Sequence, residues 1–287
     1  MKITRRNALK SALAIPACRL TAAHGSPRTG RLADVGWVWE GQGLDPGVYP
    51  SIFGVGEGCK YFGLTRAVYI FHPNDALAME KLKHLDEIVC DITKWRFKRN
   101  DDGGTVHWAD SSPDAVKKEA DNVSRMSLKY TNITGAFHDD MWGLVRREGY
   151  GPDKYGEIYR AVKANNPKLK LWVVVYTSEL KQNWAPFAPY IDVVNLWEGS
   201  SRNLTDLENN IARCRDVFPG KPINMGCYMR DYGLREPVAM NLLKHQWECV
   251  ARGVDNGTLA GYSILATVLI DGQQEQARWI RDFIAAN

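Results

Sequence analysis

The sequence predicts an α/β fold, a (β/α)8 TIM barrel, and three observations support this prediction. Eight short runs rich in β-branched and aromatic residues alternate with helical patterns across residues 34–287. The repeat of about 32 residues matches one strand–helix unit. No composition shift interrupts this stretch, so we expect one barrel domain. The weakest units lie at 41–65, which holds seven glycines, and at 181–190, which holds two prolines; they leave a doubly wound open sheet as the alternative.

Turn residues bound each of the predicted strands. In chain order the strands are Val35–Trp39, Ala67–Phe71, Glu87–Ile92, Ile133–His138, Leu171–Tyr176, Ile191–Trp197, Pro222–Tyr228 and Leu259–Leu265.

The helices between the strands carry recognisable start signals. Ser112 and Pro113 form an N-cap followed by a first-turn proline. Thr205 and Glu208 have the spacing of a capping box, and Pro237 is expected to begin a later helix. These signals place helices where the barrel requires them.

Composition and charge exclude several classes of protein. Hydrophobic residues make up 45% of the 287 residues and charged residues 24%, which excludes disordered and fibrous chains. No apolar run reaches the ~18 residues needed to cross a membrane. The net charge is +4, but the first 25 residues hold five of the 37 basic residues and none of the 33 acidic ones. The remainder is nearly neutral, so we expect no nucleic-acid partner.

The first 25 residues have the pattern of an export signal. Thr4 precedes Arg5 and Arg6, Lys10 follows, and the next apolar stretch is too short to span a membrane. This pattern resembles the bacterial twin-arginine signal peptide. The resemblance implies recognition by the twin-arginine export machinery and a periplasmic or secreted protein, with residues 26–33 as a linker. Lipoprotein anchoring at Cys18 is the alternative.

Five cysteines follow Cys18, and no pair has C-x-x-C spacing, which argues against a zinc ribbon or a thioredoxin motif. Cys90 and Cys227 lie in apolar runs, where buried free thiols are common. The sequence leaves open whether two of these cysteines form one disulfide.

Carboxylates and tryptophans follow most of the predicted strands. In a barrel, catalytic and binding residues lie at the carboxyl ends of the strands, and aromatic rings beside carboxylates and arginine suit sugars. At least two of the strand-end tryptophans should therefore stand partly exposed in one cleft, whereas Trp37, Trp172 and Trp247 should be core. The candidate substrate-binding residues are Trp39, Glu40, Asp91, Trp95, Asp140, Trp142, Glu179, Trp197, Arg230 and Asp231.

The most specific motif runs from Gly135 to Trp142 at the end of the fourth strand. Gly135 followed four residues later by Asp139 resembles barrels of the α-amylase and α-glucosidase type, in which that aspartate is the nucleophile. Phe137 departs from the amylase pattern, which has arginine there. Asp139-Asp140-x-Trp142 also resembles the sugar-binding motif of α-galactosidase-type barrels, where it ends an earlier strand. Both resemblances imply a glycoside hydrolase without selecting a family.

Cleavage of a glycosidic bond uses one carboxylate at the anomeric centre and one carboxylic acid that protonates the leaving oxygen. We expect Asp139 to be the nucleophile or charge stabiliser and Asp140 to hold sugar hydroxyls. Adjacent aspartates on a strand point to opposite faces, so the acid should come from another strand. Glu198 is the first choice, followed by Glu179 and Asp231.

Two other classes remain open. One is a barrel that binds carbohydrate without catalysis. The other is a metal-dependent phosphodiesterase or deacetylase that uses His72, His138, Asp139 and Asp140, although paired histidine spacing is lacking. No G-x-S-x-G element is present, which argues against a serine esterase, and no cofactor or resident metal is predicted.

Overall fold

Eight parallel strands close into a barrel in the computed structural model, which describes residues 32–41, 48, 51–99, 101 and 105–287. The first strand pairs with the last through the register Gly36–Tyr262, so the sheet has no open edge. The (β/α)8 prediction is confirmed and the open sheet is wrong. The strands are β1 (Gly36–Trp39), β2 (Arg66–Tyr69), β3 (Glu87–Asp91), β4 (Ile133–His138), β5 (Lys170–Tyr176), β6 (Val193–Trp197), β7 (Ile223–Tyr228) and β8 (Gly261–Leu265).

The helices surround the barrel and pack on its outer face. They are α1 (Val55–Phe62), α2 (Ala76–Leu82), α3 (Pro113–Met126), α4 (Met141–Glu148), α5 (Pro152–Lys163), α6 (Leu207–Val217), α7 (Met240–Asp255) and α8 (Gln274–Ala286). Between β5 and β6 the chain forms two short 3-10 turns, Thr177–Glu179 and Ala188–Tyr190, in place of an α-helix.

Two small antiparallel elements extend from the carboxyl-end loops. A hairpin of Trp95–Arg99 and Thr105–Ala109 follows β3. A short ribbon pairs Arg230–Asp231 with Glu236–Pro237 after β7. Both bring strand-end residues together above the barrel.

The predicted helix starts are correct in one place and wrong in two. Ser112 accepts a hydrogen bond from the Ala115 amide (3.4 Å) ahead of α3. Thr205 does not cap α6, because it lies in a 3-10 turn, and the Glu208 carboxylate pairs with Arg252 of α7 at 2.7 Å. Pro237 does not begin α7, because it pairs in the short ribbon.

Aromatic side chains fill the interior of the barrel. The Trp39 ring meets Phe137 and Trp197 edge to face, with centroids 4.6 and 4.9 Å apart. Trp37 and Trp172 pack together nearer the amino ends of their strands, 4.8 Å apart. Edge-to-face packing of large rings adds to their burial energy, so the barrel is solid below its carboxyl end. Trp37 and Trp172, like Trp247 in the helical layer, are core residues as predicted.

All five cysteines among the described residues are free and buried. Burial raises the pKa of Cys59 and of Cys90 to about 12, so these thiols stay protonated and unreactive. The part of the chain that the structure describes holds no disulfide. Cys18, Arg5, Arg6 and the rest of the expected export signal lie outside the described residues.

Within the described ranges, none of the helices combines the length and apolar character needed to cross a lipid bilayer.

Candidate active site

Two adjacent aspartates lie at the carboxyl end of β4, and their carboxyl groups interact. Alternation along β4 sends Phe137 and then Asp139 into the barrel, while His138 faces outward and stacks on Tyr155. Asp140 departs from this alternation, because its backbone is left-handed (φ 44°, ψ 34°). The expectation that the two aspartates point to opposite faces is therefore wrong.

Asp139 is surrounded by groups that keep a proton on its carboxyl. Burial raises its pKa well above the usual range, and the negative charges of Asp140 and Asp91 raise it further. The indole N–H of Trp95 donates a hydrogen bond to Oδ2 at 2.7 Å and opposes this rise in pKa. Since like charges this close cannot both ionise easily, the pair of aspartates retains a proton at pH values where exposed aspartates have lost theirs.

Asp91 ends β3 beside this pair and is 0% exposed. Burial raises the pKa of Asp91 to about 6; the charge of Lys94 opposes this rise, as do hydrogen bonds from the Thr93 and Lys94 amides, both 2.9 Å long. Asp91 thus adds negative charge behind Asp139 without contributing a freely exposed carboxylate.

Tyr176 and Tyr228 form a hydrogen-bonded chain that ends on Asp140. Burial raises the pKa of Asp140 overall, and a hydrogen bond from the hydroxyl of Tyr176 opposes part of this rise. Tyr228 is hydrogen bonded to Tyr176, and this bond raises the pKa of Tyr176 and lowers that of Tyr228. Of the two aspartates, Asp140 is the better place for the negative charge and Asp139 for the proton.

Glu198 is held by donors of the loops around it. Trp197 points into the barrel, so alternation turns Glu198 outward, where it is 5% exposed. Its carboxylate accepts hydrogen bonds from Thr177 Oγ1 (2.6 Å), the Ser200 amide (2.9 Å) and Asn203 Nδ2 (3.1 Å). With both oxygens occupied, Glu198 is not placed to give a proton to a substrate, so the structure does not support it as the general acid.

Asp231 and Glu40 have the same kind of surroundings. Asp231 accepts hydrogen bonds from the amide and hydroxyl of Ser201 (2.8 and 2.7 Å) and from the Leu234 amide (2.9 Å). Burial alone would raise the pKa of Asp231, but these hydrogen bonds lower it overall. Arg230 precedes it and is buried.

Glu40 accepts hydrogen bonds from the Ile70 and Phe71 amides (3.1 and 3.0 Å) and pairs with His72 Nδ1 at 2.5 Å. It therefore fixes the loop after β2.

Glu179 is the one of the three expected acids that lies near the aspartates. It is partly exposed in the turn after β5 and accepts a hydrogen bond from the Tyr176 amide at 3.0 Å. Burial raises the pKa of Glu179, and the charge of Asp140 raises it further.

Two of the four strand-end tryptophans are partly exposed, as expected, and the other two are buried. Trp39 and Trp197 are 3% and 1% exposed because they fill the barrel interior. Trp95 and Trp142 are partly exposed, but Trp142 packs on Trp184 of the β5–β6 segment, with ring centroids 4.8 Å apart. Among these four, Trp95 alone is hydrogen bonded to the Asp139 carboxylate.

No group of three or more His, Cys, Asp or Glu side chains in the described residues has an arrangement that could hold a metal ion. His138 faces the helices, where burial lowers its pKa to about 3, and His72 pairs with Glu40. The four residues expected to hold a metal therefore do not form one site.

Comparisons with known proteins show the same barrel in glycoside hydrolases. No protein-family model matches the sequence, and no curated protein matches it significantly. A β-glucuronidase from Bacteroides uniformis is 14% identical with a TM-score of 0.56, over 85% of this chain and 32% of the other. A GH113 β-1,4-mannanase is 13% identical with a TM-score of 0.54, and a family 18 chitinase from Crocus vernus is 10% identical with a TM-score of 0.52.

The matches to the mannanase and to the chitinase each cover 88% of this chain and 98% of the other. This chain therefore spans nearly the full length of those two enzymes but about a third of the β-glucuronidase. At these identities the likeness establishes the fold, a TIM barrel of the kind that glycoside hydrolases use.

Proposed function

We propose that this protein is a glycoside hydrolase whose catalytic groups are Asp139 and Asp140. The observation that supports it most is the pair of neighbouring aspartates at the end of β4, where burial raises the pKa of both carboxyls and the charge of Asp140 raises that of Asp139 further. Glycosidic cleavage needs an acid and a carboxylate together. The fold shared with β-glucuronidase, mannanase and chitinase structures is consistent with this chemistry.

The proposed roles follow from the surroundings of each aspartate. Asp139 gives its proton to the glycosidic oxygen as the bond from that oxygen to the anomeric carbon breaks. Asp140, whose charged form the Tyr176 hydroxyl favours, stabilises the positive charge that develops on the sugar ring. Water then adds to the anomeric carbon, and the proton it releases returns to the aspartate pair. These roles differ from those expected from the sequence, in which Asp139 is the nucleophile or charge stabiliser, Asp140 holds sugar hydroxyls and Glu198 is the acid.

A carbohydrate-binding barrel without catalysis explains the pair less well. Holding two carboxyl groups together with Asp91 behind them costs stability, and a binding site would gain nothing from a retained proton. Sugar hydroxyls would be bound equally well by hydrogen-bonded carboxylates such as Asp231.

The decisive experiment compares Asp139→Asn with Asp153→Asn on polysaccharides and aryl glycosides. Asp153 is an exposed aspartate at the start of α5, so its variant is a matched control. We expect Asp139→Asn to lower kcat by about 100- to 10,000-fold on substrates with poor leaving groups. The loss should be smaller on activated aryl glycosides, whose leaving groups need less protonation.

Equal losses on both substrate types would remove Asp139 from the acid role. Full activity in Asp139→Asn would contradict the proposed site and favour the binding barrel. Circular dichroism of both variants separates loss of chemistry from loss of folding.

We also propose that the protein is exported by the twin-arginine pathway, on the basis of the pattern around Arg5 and Arg6. Replacing both residues with lysine keeps the charge and removes the recognised pair, so precursor should accumulate in the cytoplasm. Normal export of that variant would contradict the proposal.

A further inference from the structure

A pocket separate from the aspartate pair lies between the start of α1, one side of α2 and the loop after β2. Its volume is about 300 Å³, which is within the range of sites for small organic ligands. Much of its wall is apolar and comes from Val55, Tyr69, Ala78 and Leu82. An occupant would therefore need an apolar body.

His72 presents a fixed polar edge to this pocket. Its Nδ1 atom is bound to Glu40 at 2.5 Å, and Glu40 is itself buried and fixed by the Ile70 and Phe71 amides. The His72 ring also stacks on Tyr69. With Nδ1 engaged, Nε2 is the ring nitrogen left for a ligand, and the bond to Glu40 raises the pKa of His72 and favours the cationic ring.

Lys81 on α2 provides a second positive charge at the same pocket. Its charge opposes protonation of His72, so the two basic side chains lie near each other. The Glu40 and Asp75 carboxylates line the same pocket. Three other charged groups nearby have partners of their own: Glu40 is bound to His72, Lys94 Nζ donates to the His72 carbonyl at 2.8 Å, and the Asp75 carboxylate caps α2 through the Ala78 amide at 2.9 Å. An anion placed between His72 and Lys81 would be stabilised by both.

We propose that this pocket binds an organic carboxylate with an apolar body, its carboxylate lying between His72 Nε2 and Lys81 Nζ. The apolar wall holds the ring or short chain, and the buried Glu40 holds His72 in place. This site is independent of the proposed glycosidase activity, because neither Asp139 nor Asp140 belongs to it.

The first test uses phenylacetate as the probe, with calorimetry for the affinity and NMR of isotope-labelled histidine for the location. The His72 signal is assigned from its absence in His72→Gln. Phenylacetate should shift that signal, and the neutral analogue phenylacetamide should bind at least about fivefold more weakly, the upper range for one exposed charge interaction. Equal binding of both compounds, or no shift of the His72 signal, would overturn the proposal.

Variants then test the two cationic groups. Lys81→Met should weaken phenylacetate binding by about two- to fivefold, and adding His72→Gln should weaken it further. Lys83→Met is the matched control, because Lys83 pairs with Glu80 at 3.5 Å and does not line the pocket. Inorganic phosphate carries negative charge without an apolar body. If it bound as tightly as phenylacetate, the apolar wall would add nothing to binding, and that part of the proposal would be wrong. Unchanged affinity in the double variant would contradict the cationic part.

Discussion

The carboxylates at the end of β4 and those after β6 and β7 occupy similar places in the sequence but have opposite surroundings. Asp139 accepts two hydrogen bonds, from the Trp95 indole and from the Asp140 amide (3.1 Å), and lies near two other negative charges. Glu198 and Asp231 each accept three hydrogen bonds from neighbouring loops. The β4 pair is poised to exchange a proton, whereas the other two carboxylates hold loops together.

This difference separates two uses of an acidic residue at the end of a barrel strand. A carboxylate that accepts several hydrogen bonds is stabilised in its charged form and fixes the chain around it. A carboxylate crowded by like charges costs stability and is kept where the chemistry uses it. The two kinds should respond differently to removal of their charge.

After Asp139→Asn, the largest expected effect on turnover is that of Asp140→Asn. Asparagine keeps the size of the side chain and loses the charge that stabilises the developing positive ring. We expect kcat to fall by about 100- to 1000-fold, while melting temperature changes little. Steady-state kinetics measure kcat, and a thermal melt of the same variant measures its stability. A fall in stability without a fall in kcat would mean that Asp140 fixes the chain as Glu198 and Asp231 do, and would contradict its proposed role.

Glu198→Gln should show the opposite behaviour. The amide cannot accept all three hydrogen bonds as a carboxylate does, so buried donors lose a charged partner. We expect the free energy of unfolding to fall by about 1–3 kcal/mol and kcat to stay within about threefold at temperatures well below the melt. Denaturant unfolding provides the measurement. A kcat loss as large as that of Asp139→Asn would restore Glu198 as the general acid.

Most of the barrel could be predicted from the sequence, because buried parallel strands read as short β-branched runs. The bounds of β4 agree to the residue, and those of β6 differ by two at one end. The starts of α6 and α7 could not be predicted. Thr205 and Pro237 carry helix-start signals that a 3-10 turn and a short ribbon override.

Prediction of the site was limited by the direction of side chains. Asp139, Asp140, Asp91 and Trp95 were predicted and lie together, but the left-handed backbone of Asp140 gives no signal in the sequence. Alternation would have excluded Glu198, since it follows the inward Trp197. The same rule could have found Tyr176, which is two residues beyond the inward Val174.

The stability of Asp139→Asn should depend on pH in a way that tests the retained proton. Folding raises the pKa of Asp139, so the folded protein holds this proton more tightly than the unfolded chain does. The contribution of Asp139 to stability is therefore complete below its pKa in the unfolded chain and is lost as pH rises through its pKa in the folded protein. The variant lacks this loss. Its melting temperature relative to wild type should therefore rise with pH above about 4 and level off once wild-type Asp139 is ionised.

Each kcal/mol gained in the free energy of unfolding should raise the melting temperature of a chain of this length by about 2–4 °C. Asp153→Asn is the control, since that exposed aspartate should give no such trend. A difference between Asp139→Asn and wild type that stays constant from pH 4 to pH 8 would mean that Asp139 is an ordinary ionised aspartate and belongs with Glu198.

Tyr176→Phe should have the smallest effect and tests how the charge is kept on Asp140. The phenol donates to Asp140 and lowers its pKa, so its removal raises that pKa. Because Asp140 must be ionised for turnover, the acid limb of the pH–rate profile should move to higher pH, with a loss of about three- to tenfold in kcat at the optimum for one hydrogen bond. Tyr159→Phe is the matched control, since Tyr159 donates to Asp192 at 3.0 Å on the outer face of the barrel, and it should leave the profile in place. A lower kcat in Tyr176→Phe with an unmoved acid limb would mean that the tyrosine only supports packing, and the charge on Asp140 would then need another source.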